Sequence, residues 1–225
     1  MIPPLKVRWL GRTHFGEALA LQEELVEMKR QDGATADHLL LLEHEPVYTI
    51  GRTLDRTSLP DQSPLPHPLF PINRGGQATY HGPGQLVGYP ILDLRRYGQD
   101  LHRYLRWLEE ILIDLLDLHG IIGARREGLT GVWVEDRKIA SIGVGVRHWI
   151  SMHGFALNVS GDLSPFARII PCGIAGVEMT SMARETGRSI SVIDVAAQFE
   201  KMAVRRLADW RADKETAASI LANKL

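Results

Sequence analysis

The chain has 225 residues, enough for a domain with a substantial hydrophobic core. Its 26 basic and 27 acidic residues leave a formal net charge of −1, which argues against bulk binding of nucleic acid. The single cysteine excludes an intramolecular disulfide and favours a reducing compartment. The chain shows no secretory signal and no apolar run long enough to span a membrane. We therefore expect one cytoplasmic domain over residues 1–225.

The N-terminal part of the chain predicts two strands separated by a helix. Residues 6–10 are a candidate strand. Apolar residues at helical spacing then predict a helix over about 14–30, with Thr13 as its N-cap. Residues 38–52 are typical of a buried strand, which Pro46 interrupts or ends because proline cannot donate to the ladder.

The middle of the chain predicts a loop, a strand and a helix. Residues 53–73 hold five of the twelve prolines and few helix signals, so we expect an ordered surface loop there. A strand is expected over 88–94. An apolar stripe from Leu101 to Leu115 then predicts a helix that ends near Gly120.

The last part of the chain predicts a hairpin, a strand and a final helix. Residues 131–146 alternate like a hairpin that turns near Asp136, and 149–159 are a further strand candidate. Ser191 is expected to cap a helix over roughly 192–211. Several strands are too close in sequence for a helical crossover. We therefore predict an α/β fold with a mixed β-sheet flanked by helices, not a doubly wound one.

A glycine-rich stretch, RGGQATYHGPGQ (74–85), is the first candidate for function. It lacks the Gly-Lys-Ser/Thr ending of a P-loop and does not match G-x-G-x-x-G. A turn beside a structural histidine explains the stretch about as well as a functional site does. The functional hypothesis is a backbone wall along a narrow slot, with Arg74, Tyr80 and His81 as polar anchors.

Two further residues suggest covalent chemistry. Cys172 stands between Pro171 and Gly173, which suggests a fixed turn that presents the thiol, although a lone cysteine is more often a small buried hydrophobe. Lys138 is the only lysine between residues 29 and 201, where arginine supplies the other basic groups. Because lysine can release a proton and arginine cannot, Lys138 is a candidate acid–base group. The alternative is a solvated residue just after a hairpin turn.

His153 is a third candidate for chemistry. A histidine in a strand is more often structural than catalytic, but Gly154 beside it permits close approach of a backbone or ligand. No group of cysteines and histidines has the spacing of metal ligands, so we predict no metal site.

Four separated stretches match one family pattern in the correct order. They are HEPVYTIGR (44–52), RGGQATYHGPGQLVGYPILDL (74–94), KIASIGVGVRHWISMHGFALNV (138–159) and PCGIAG (171–176). With these motifs the chain resembles the lipoyl (octanoyl) transferases over residues 5 to 211. The resemblance implies the catalytic-domain fold of the biotin and lipoate protein ligases.

The resemblance also implies the residues of the site. Cys172 is then the nucleophile that carries the acyl group, and Lys138 is its partner. The implied substrate slot is formed by Arg74, Gly75, Gly76, Gln77, Ala78, Thr79, Tyr80, His81, Ser141, Ile142, Gly143, Gly154, Phe155 and Ala156.

The implied reaction is acyl transfer in lipoate biosynthesis. An octanoyl group passes from octanoyl-acyl carrier protein through an acyl-cysteine intermediate to a lysine of lipoyl domains, in 2-oxoacid dehydrogenase complexes and in the glycine cleavage H protein. A thioester is already activated, so we expect no ATP, no cofactor and no metal. We also expect no nucleic acid and no membrane among the partners.

Two other functions remain open from the sequence. One is an ATP-dependent lipoate or biotin ligase on the same fold. Such an enzyme is expected to carry a basic pair and further glycines for an adenylate, where this chain has Gln77 and a His-Gly-Pro-Gly run, and it has no need of Cys172. The other is a non-catalytic protein that binds acyl carrier protein.

Overall fold

The computed structural model describes residues 4–52, 58–59 and 64–222, with side chains as far as residue 211. Two sheets and several helices make up this part of the chain. The strands are β1 (Lys6–Thr13), β2 (His38–His44), β3 (Val47–Ile50), β4 (Leu69–Pro71), β5 (Thr79–His81), β6 (Gln85–Ile91), β7 (Ala124–Arg126), β8 (Leu129–Val134), β9 (Arg137–Arg147), β10 (Ile150–Asn158) and β11 (Glu178–Met179). The helices are α1 (Phe15–Gln31), α2 (Leu101–Asp117), α3 (Met182–Thr186) and α4 (Val192–Ala222), and short 3₁₀ turns cover Leu94–Tyr97, Ser164–Arg168 and Pro171–Gly173.

The larger sheet is mixed, as predicted. Its strand order is β1-β2-β6-β10-β9-β8-β7, and β11 pairs with β9 beside this path. β1 and β2 run parallel because α1 lies between them in the chain and returns it to the same end of the sheet. Each neighbouring pair from β2 to β7 is antiparallel.

Helices cover both faces of the larger sheet. α2 carries the predicted apolar stripe and packs with α4 on one face; α1 packs on the other. None of the helices in the described part of the chain combines the length and apolarity that crossing a membrane requires. The fully buried stripe residues of α2 are Tyr104, Leu108, Ile111, Leu112 and Leu115.

The predicted helix caps had different outcomes. Ser191 accepts a hydrogen bond from the N–H of Asp194 at 3.4 Å, which confirms it as the cap of α4. Thr13 is not the cap of α1, so that prediction was wrong. Pairing with β2 holds Thr13 in extended backbone as the last residue of β1, and its hydroxyl donates to the Leu10 carbonyl at 3.2 Å. His14 takes the cap position without a side-chain hydrogen bond.

The single strand predicted over 38–52 is two strands in two sheets. β2 ends at His44 in the larger sheet, and β3 begins at Val47 in the smaller one, whose order is β4-β3-β5. Pro46 lies at the break, where the chain changes sheets. The change brings the smaller sheet against one end of the larger sheet.

Two further boundaries differ from the prediction. β4 lies within 53–73, where a loop was expected, because three residues that include a proline give no alternating pattern. Residues 53–57 and 60–63 of that segment lie outside the described residues. β6 begins three residues before the strand predicted over 88–94.

The β8–β9 hairpin forms as predicted, with its turn at residues 135–136. β9 then turns back into β10, and this second pairing matters for the site. Ser141 pairs with Ala156, and Gly143 pairs with Gly154. Two motifs that are separated in the sequence therefore lie side by side on the sheet.

Candidate active site

Cys172 lies in a short turn that its neighbours hold in place. Its φ of 57° and ψ of 17° are a left-handed conformation that non-glycine residues adopt rarely. Its N–H donates to the Ala78 carbonyl at 2.8 Å, and the N–H of Gly173 donates to the Ile170 carbonyl at 3.0 Å. A strained turn that presents a half-buried thiol is typical of a functional site.

Lys138 reaches the thiol from the larger sheet. Its side chain is 1% exposed, and Nζ donates to Cys172 Sγ at 3.3 Å and to the Thr130 carbonyl at 3.1 Å. Nζ also lies 5.3 Å from the centre of the Trp133 ring, at the distance of a cation–π contact. The ammonium is thus held at the sulfur by several contacts, which supports the predicted pairing of these two residues.

Gly131 belongs to the site although no sequence motif indicated it. Its φ is 128°, and a Cβ there would lie 2.6 Å from the Ala140 carbonyl oxygen and 2.8 Å from Lys138 Cε. Buried Glu109 fixes this segment, since its Oε1 accepts from the Gly131 N–H at 3.1 Å. The glycine leaves the space in which the lysine side chain lies. The one signal in the sequence was a glycine at the start of the predicted hairpin that contains Lys138.

Arg74 brings a second buried cation to the site. Its guanidinium donates to Thr49 Oγ1 at 2.9 Å and to the carbonyls of Gly75 and Gln77 at 2.9 and 3.0 Å. These acceptors are neutral, so burial lowers the pKa of Arg74 from its ordinary value, while nearby Cys172 acts in the opposite direction. The charge of Arg74 therefore favours negative charge on the sulfur or on a substrate oxygen.

His81 connects the two sheets as a neutral group. Its Nδ1 lies 2.8 Å from Gln85 Oε1, and its Nε2 lies 3.3 Å from Thr49 Oγ1. Gln85 then donates to Asn158 Oδ1 at 2.9 Å, and Asn158 donates to the Thr180 carbonyl at 3.0 Å. Burial lowers the pKa of His81 to about 3, so the ring is uncharged near neutral pH.

A cavity of about 420 Å³ opens beside these groups, a volume in the range of small-molecule sites. Fourteen of the sixteen predicted site residues border it, so the structure brings three distant motifs together. They are Arg74, Gly75, Gly76, Gln77, Thr79, His81, Lys138, Ser141, Ile142, Gly143, Gly154, Phe155, Ala156 and Cys172.

Ala78 and Tyr80 are not among the residues that border the cavity. Ala78 contributes its carbonyl to the Cys172 turn instead. Tyr80 packs in the apolar cluster of the smaller sheet, with its ring 5.6 Å from that of Phe166. Side chains alternate along a strand, so Thr79 and His81 face the cavity while Tyr80 faces the cluster.

His153 also borders the cavity. It is 2% exposed, and its φ is 58°. Neither ring nitrogen has a hydrogen-bond partner within the described part of the chain. Burial, followed by the charge of Arg74, lowers the pKa of His153 to about 4, so this ring is neutral as well. Tyr89 and Phe15 border the same cavity and were not among the predicted site residues.

A thiol 3.3 Å from a buried lysine, beside a cavity in a mixed α/β fold, is an arrangement typical of group-transfer enzymes. Comparison with known proteins identifies the family. Residues 14–203 match the lipoyl protein ligase A/B catalytic domain, and the chain belongs to that family.

Individual relatives agree with this assignment. The octanoyltransferase of Geobacter sulfurreducens is 54% identical over 193 residues, which cover 86% of this chain and 80% of that protein. The fold is similar to that of a bipartite lipoate protein ligase from Thermoplasma acidophilum, with a TM-score of 0.71, 16% identity, and coverage of 91% of this chain and 84% of that one. The biotin protein ligase of Aquifex aeolicus is more distant, with a TM-score of 0.53, 15% identity and coverage of 94% and 72%. The ligase-like fold predicted from the sequence is thereby confirmed.

Proposed function

We propose that this protein transfers an octanoyl group from octanoyl-acyl carrier protein to a lysine of lipoyl domains, through an octanoyl thioester on Cys172. The observation that carries the proposal is the 3.3 Å contact between Lys138 Nζ and Cys172 Sγ at the edge of the cavity. Relatives about half identical to this chain bear the name octanoyltransferase, which supports octanoyl as the transferred group.

The first half-reaction forms the acyl-enzyme. The Cys172 thiolate, stabilised by the Lys138 ammonium, attacks the carbonyl carbon of the donor thioester. The bond to the sulfur of the carrier protein breaks, and that sulfur takes a proton from Lys138. Holo-carrier protein leaves as a thiol, while Lys138 is left neutral.

The second half-reaction forms the amide. The neutral ε-amine of the acceptor lysine attacks the acyl-cysteine, and Lys138 takes the proton that this nitrogen loses. The Cys172 thiolate departs, and the ammonium beside it is restored. The cycle balances without ATP. The absence of any metal or cofactor from the reaction stays a prediction.

The oxyanion of both half-reactions needs a donor near the sulfur. The N–H groups of Cys172 and Gly173 already donate to carbonyls of the protein. Ser141 is a better placed donor, because its Oγ lies 3.8 Å from Sγ and so within reach of an oxygen on the carbon bonded to sulfur. The buried positive charge of Arg74 favours the same oxyanion.

The proposed acceptors are the lipoyl domains of 2-oxoacid dehydrogenase complexes and the glycine cleavage H protein. The similarity in fold to a lipoate ligase described with its E2 lipoyl domain supports acceptors of this kind. The unpaired thiol suits a reducing compartment, so we further propose that the enzyme works in the cytoplasm.

Intact mass spectrometry tests the proposal and separates it from its rivals. Protein incubated with octanoyl-carrier protein and no ATP is expected to gain one octanoyl group, which peptide mapping places on Cys172. Addition of a lipoyl domain is expected to discharge it. Cys172→Ala is expected to gain nothing and to transfer nothing.

Other outcomes point to the other functions. Octanoylation of a lipoyl domain from free octanoate only when ATP is present would indicate a ligase. Binding of carrier protein with no acylation at all would indicate a non-catalytic binder. Near wild-type transfer by Cys172→Ala would overturn the role given to the thiol.

A further inference from the structure

His153 has a side chain that the reaction above does not use and that the fold leaves unsatisfied. Its two ring nitrogens have no hydrogen-bond partner within the described part of the chain, although the residue is only 2% exposed. Unpaired buried polar groups are costly and rare, so each needs an explanation. The residue borders the cavity.

The backbone of His153 is strained in a way that turns the ring toward the cavity. Its φ is 58°, in the middle of β10. The N–H of His153 donates to Gln22 Oε1 of α1 at 2.8 Å, which fixes this conformation. A Cβ on Gly145 would lie 3.3 Å from His153 Cδ2, so the ring lies over bare backbone of β9. The Tyr89 ring packs 6.4 Å away, edge to face.

The strand register gives the distance of this ring from the thiol. Ser141 Oγ lies 3.8 Å from Cys172 Sγ, and Ser141 pairs with Ala156 of β10. His153 lies three positions back along that strand (156 − 153). At about 3.3 Å per residue, it is displaced by roughly 10 Å from the end of the cavity that holds the thiol.

That displacement matches the length of the proposed acyl group. An extended eight-carbon chain spans about 9 Å from its carbonyl carbon to its methyl carbon, at roughly 1.25 Å per bond. A chain bound to Sγ and directed along β10 would therefore reach the position of His153. The ring is too far from Sγ to act on the thioester.

We propose that His153 is the polar end of the acyl pocket and limits the bound chain to the length of an octanoyl group. The inference rests on the proposed octanoyl transfer and deepens it. A longer chain would have to lay its last methylenes against a ring whose nitrogens the protein leaves without partners, an apolar contact that offers those nitrogens no hydrogen bond. The ring also fills the space that those methylenes need.

The test is a series of acyl-carrier protein donors with acyl chains of 6, 8, 10 and 12 carbons, which probe the length of the pocket. The first-order rate of Cys172 acylation is measured for each donor by mass. His153→Gly removes the ring and tolerates the positive φ, and His153→Asn shortens the side chain but keeps it polar. His148→Gly is the matched control, because His148 also has a positive φ, of 52°, but lies exposed in the turn between β9 and β10.

The wild type is expected to acylate with the 8-carbon donor at least tenfold faster than with the 12-carbon donor. His153→Gly is expected to raise the ratio of the 12-carbon to the 8-carbon rate at least tenfold, and His153→Asn to raise it less. His148→Gly is expected to leave the ratio unchanged. An equal loss of rate for all donors in both His153 variants would show a structural role and overturn the inference.

A binding measurement keeps this inference separate from the reaction itself. Free octanoate and dodecanoate are titrated into Cys172→Ser protein with and without His153→Gly. A gain in dodecanoate binding relative to octanoate supports the polar end of the pocket even if no acyl-enzyme forms. If the wild type is not acylated by any donor, the proposed function fails, and the binding series alone then tests whether His153 limits the length of the bound chain. An unchanged binding ratio overturns the inference.

Discussion

The two residues of the proposed catalytic pair are held by different kinds of structure. Lys138 lies within β9, where it pairs with Trp133 of β8 on one side and with Met179 of β11 on the other. Cys172 lies in a 3₁₀ turn with a left-handed backbone, and its N–H donates to the carbonyl of Ala78, the residue before β5. The lysine is buried, whereas the thiol is partly exposed.

This difference follows from what each group does in the proposed reaction. The lysine handles only a proton, so it gains from a fixed position beside the sulfur and from exclusion of solvent. The thiol must be reached by two large protein substrates and must carry an acyl chain. A turn at the rim of the cavity gives that access, and the sheet supplies the rigid partner.

Lys138→Arg tests the lysine side of the comparison and has the largest expected effect. Arginine keeps the positive charge but cannot take the proton of the acceptor amine. We expect acyl transfer to fall by roughly 10² to 10⁴. Single-turnover rates of acylation and of transfer to a lipoyl domain measure the loss.

Lys138→Met is the matched control for packing, because it keeps an unbranched side chain without the charge. We expect it to fold at least as stably as the wild type and to be inactive. Near-normal turnover in Lys138→Arg would reduce the role of this residue to electrostatics alone.

Gly131→Ala tests whether the rigid position of the lysine matters. The added Cβ would lie 2.8 Å from Lys138 Cε, so the lysine side chain must shift from its place beside the sulfur. Gly128→Ala is the matched control, since Gly128 also has a positive φ, of 73°, but has open space around it. Gly128→Ala is expected to lose about 1 kcal/mol of stability from backbone strain. Gly131→Ala is expected to lose more, because its Cβ would also lie 2.6 Å from the Ala140 carbonyl oxygen.

Only Gly131→Ala is expected to slow acylation as well, by about tenfold to hundredfold. Melting temperature and acylation rate are measured on the same preparations. Equal rates for the two variants would contradict the importance of the lysine position.

Mild acid tests the cysteine side of the comparison and has the smallest expected effect. The pKa of His81 is lowered to about 3 in the folded protein by burial, with Arg74 and His44 adding to the shift. Below pH 6.5 the unfolded chain therefore takes up a proton on His81 more readily than the folded protein does. The stability contributed by neutral His81 is complete above the ordinary pKa of about 6.5 and is lost as the pH falls toward 3.

The expected loss from His81 alone is about 0.7 kcal/mol between pH 7 and pH 6. Urea unfolding at the two pH values measures it, with His81→Gln expected to reduce the loss and exposed His148→Gln expected to leave it unchanged. Hydrogen exchange is expected to rise in β5 before it rises in β8. The opposite order would contradict the expectation that acid destabilises the smaller sheet, near the thiol, before it destabilises the larger sheet that holds Lys138.

The amino-acid sequence by itself determined the elements that depend on local pattern. The apolar stripe of α2, the β8–β9 hairpin and the cap at Ser191 follow from side-chain periodicity and hydrogen bonding within a few residues. Cys172 and Lys138 were recognisable as candidates from the sequence. Cys172 is the only cysteine, and Lys138 is the only lysine between residues 29 and 201, where the other basic residues are arginines that cannot exchange a proton. The mixed sheet followed from spacings too short for a crossover.

Only the tertiary structure decided the features that depend on distant parts of the chain. The division of residues 38–52 between two sheets depends on the partners that β2 and β3 find, and no local pattern encodes them. The space that Gly131 leaves for Lys138 and the pairing of Gly143 with Gly154 exist only when β8, β9 and β10 are in register. The same holds for His153. In the sequence it is one more histidine in a strand, and only packing shows that it borders the cavity and that its ring nitrogens lie without partners among the described residues.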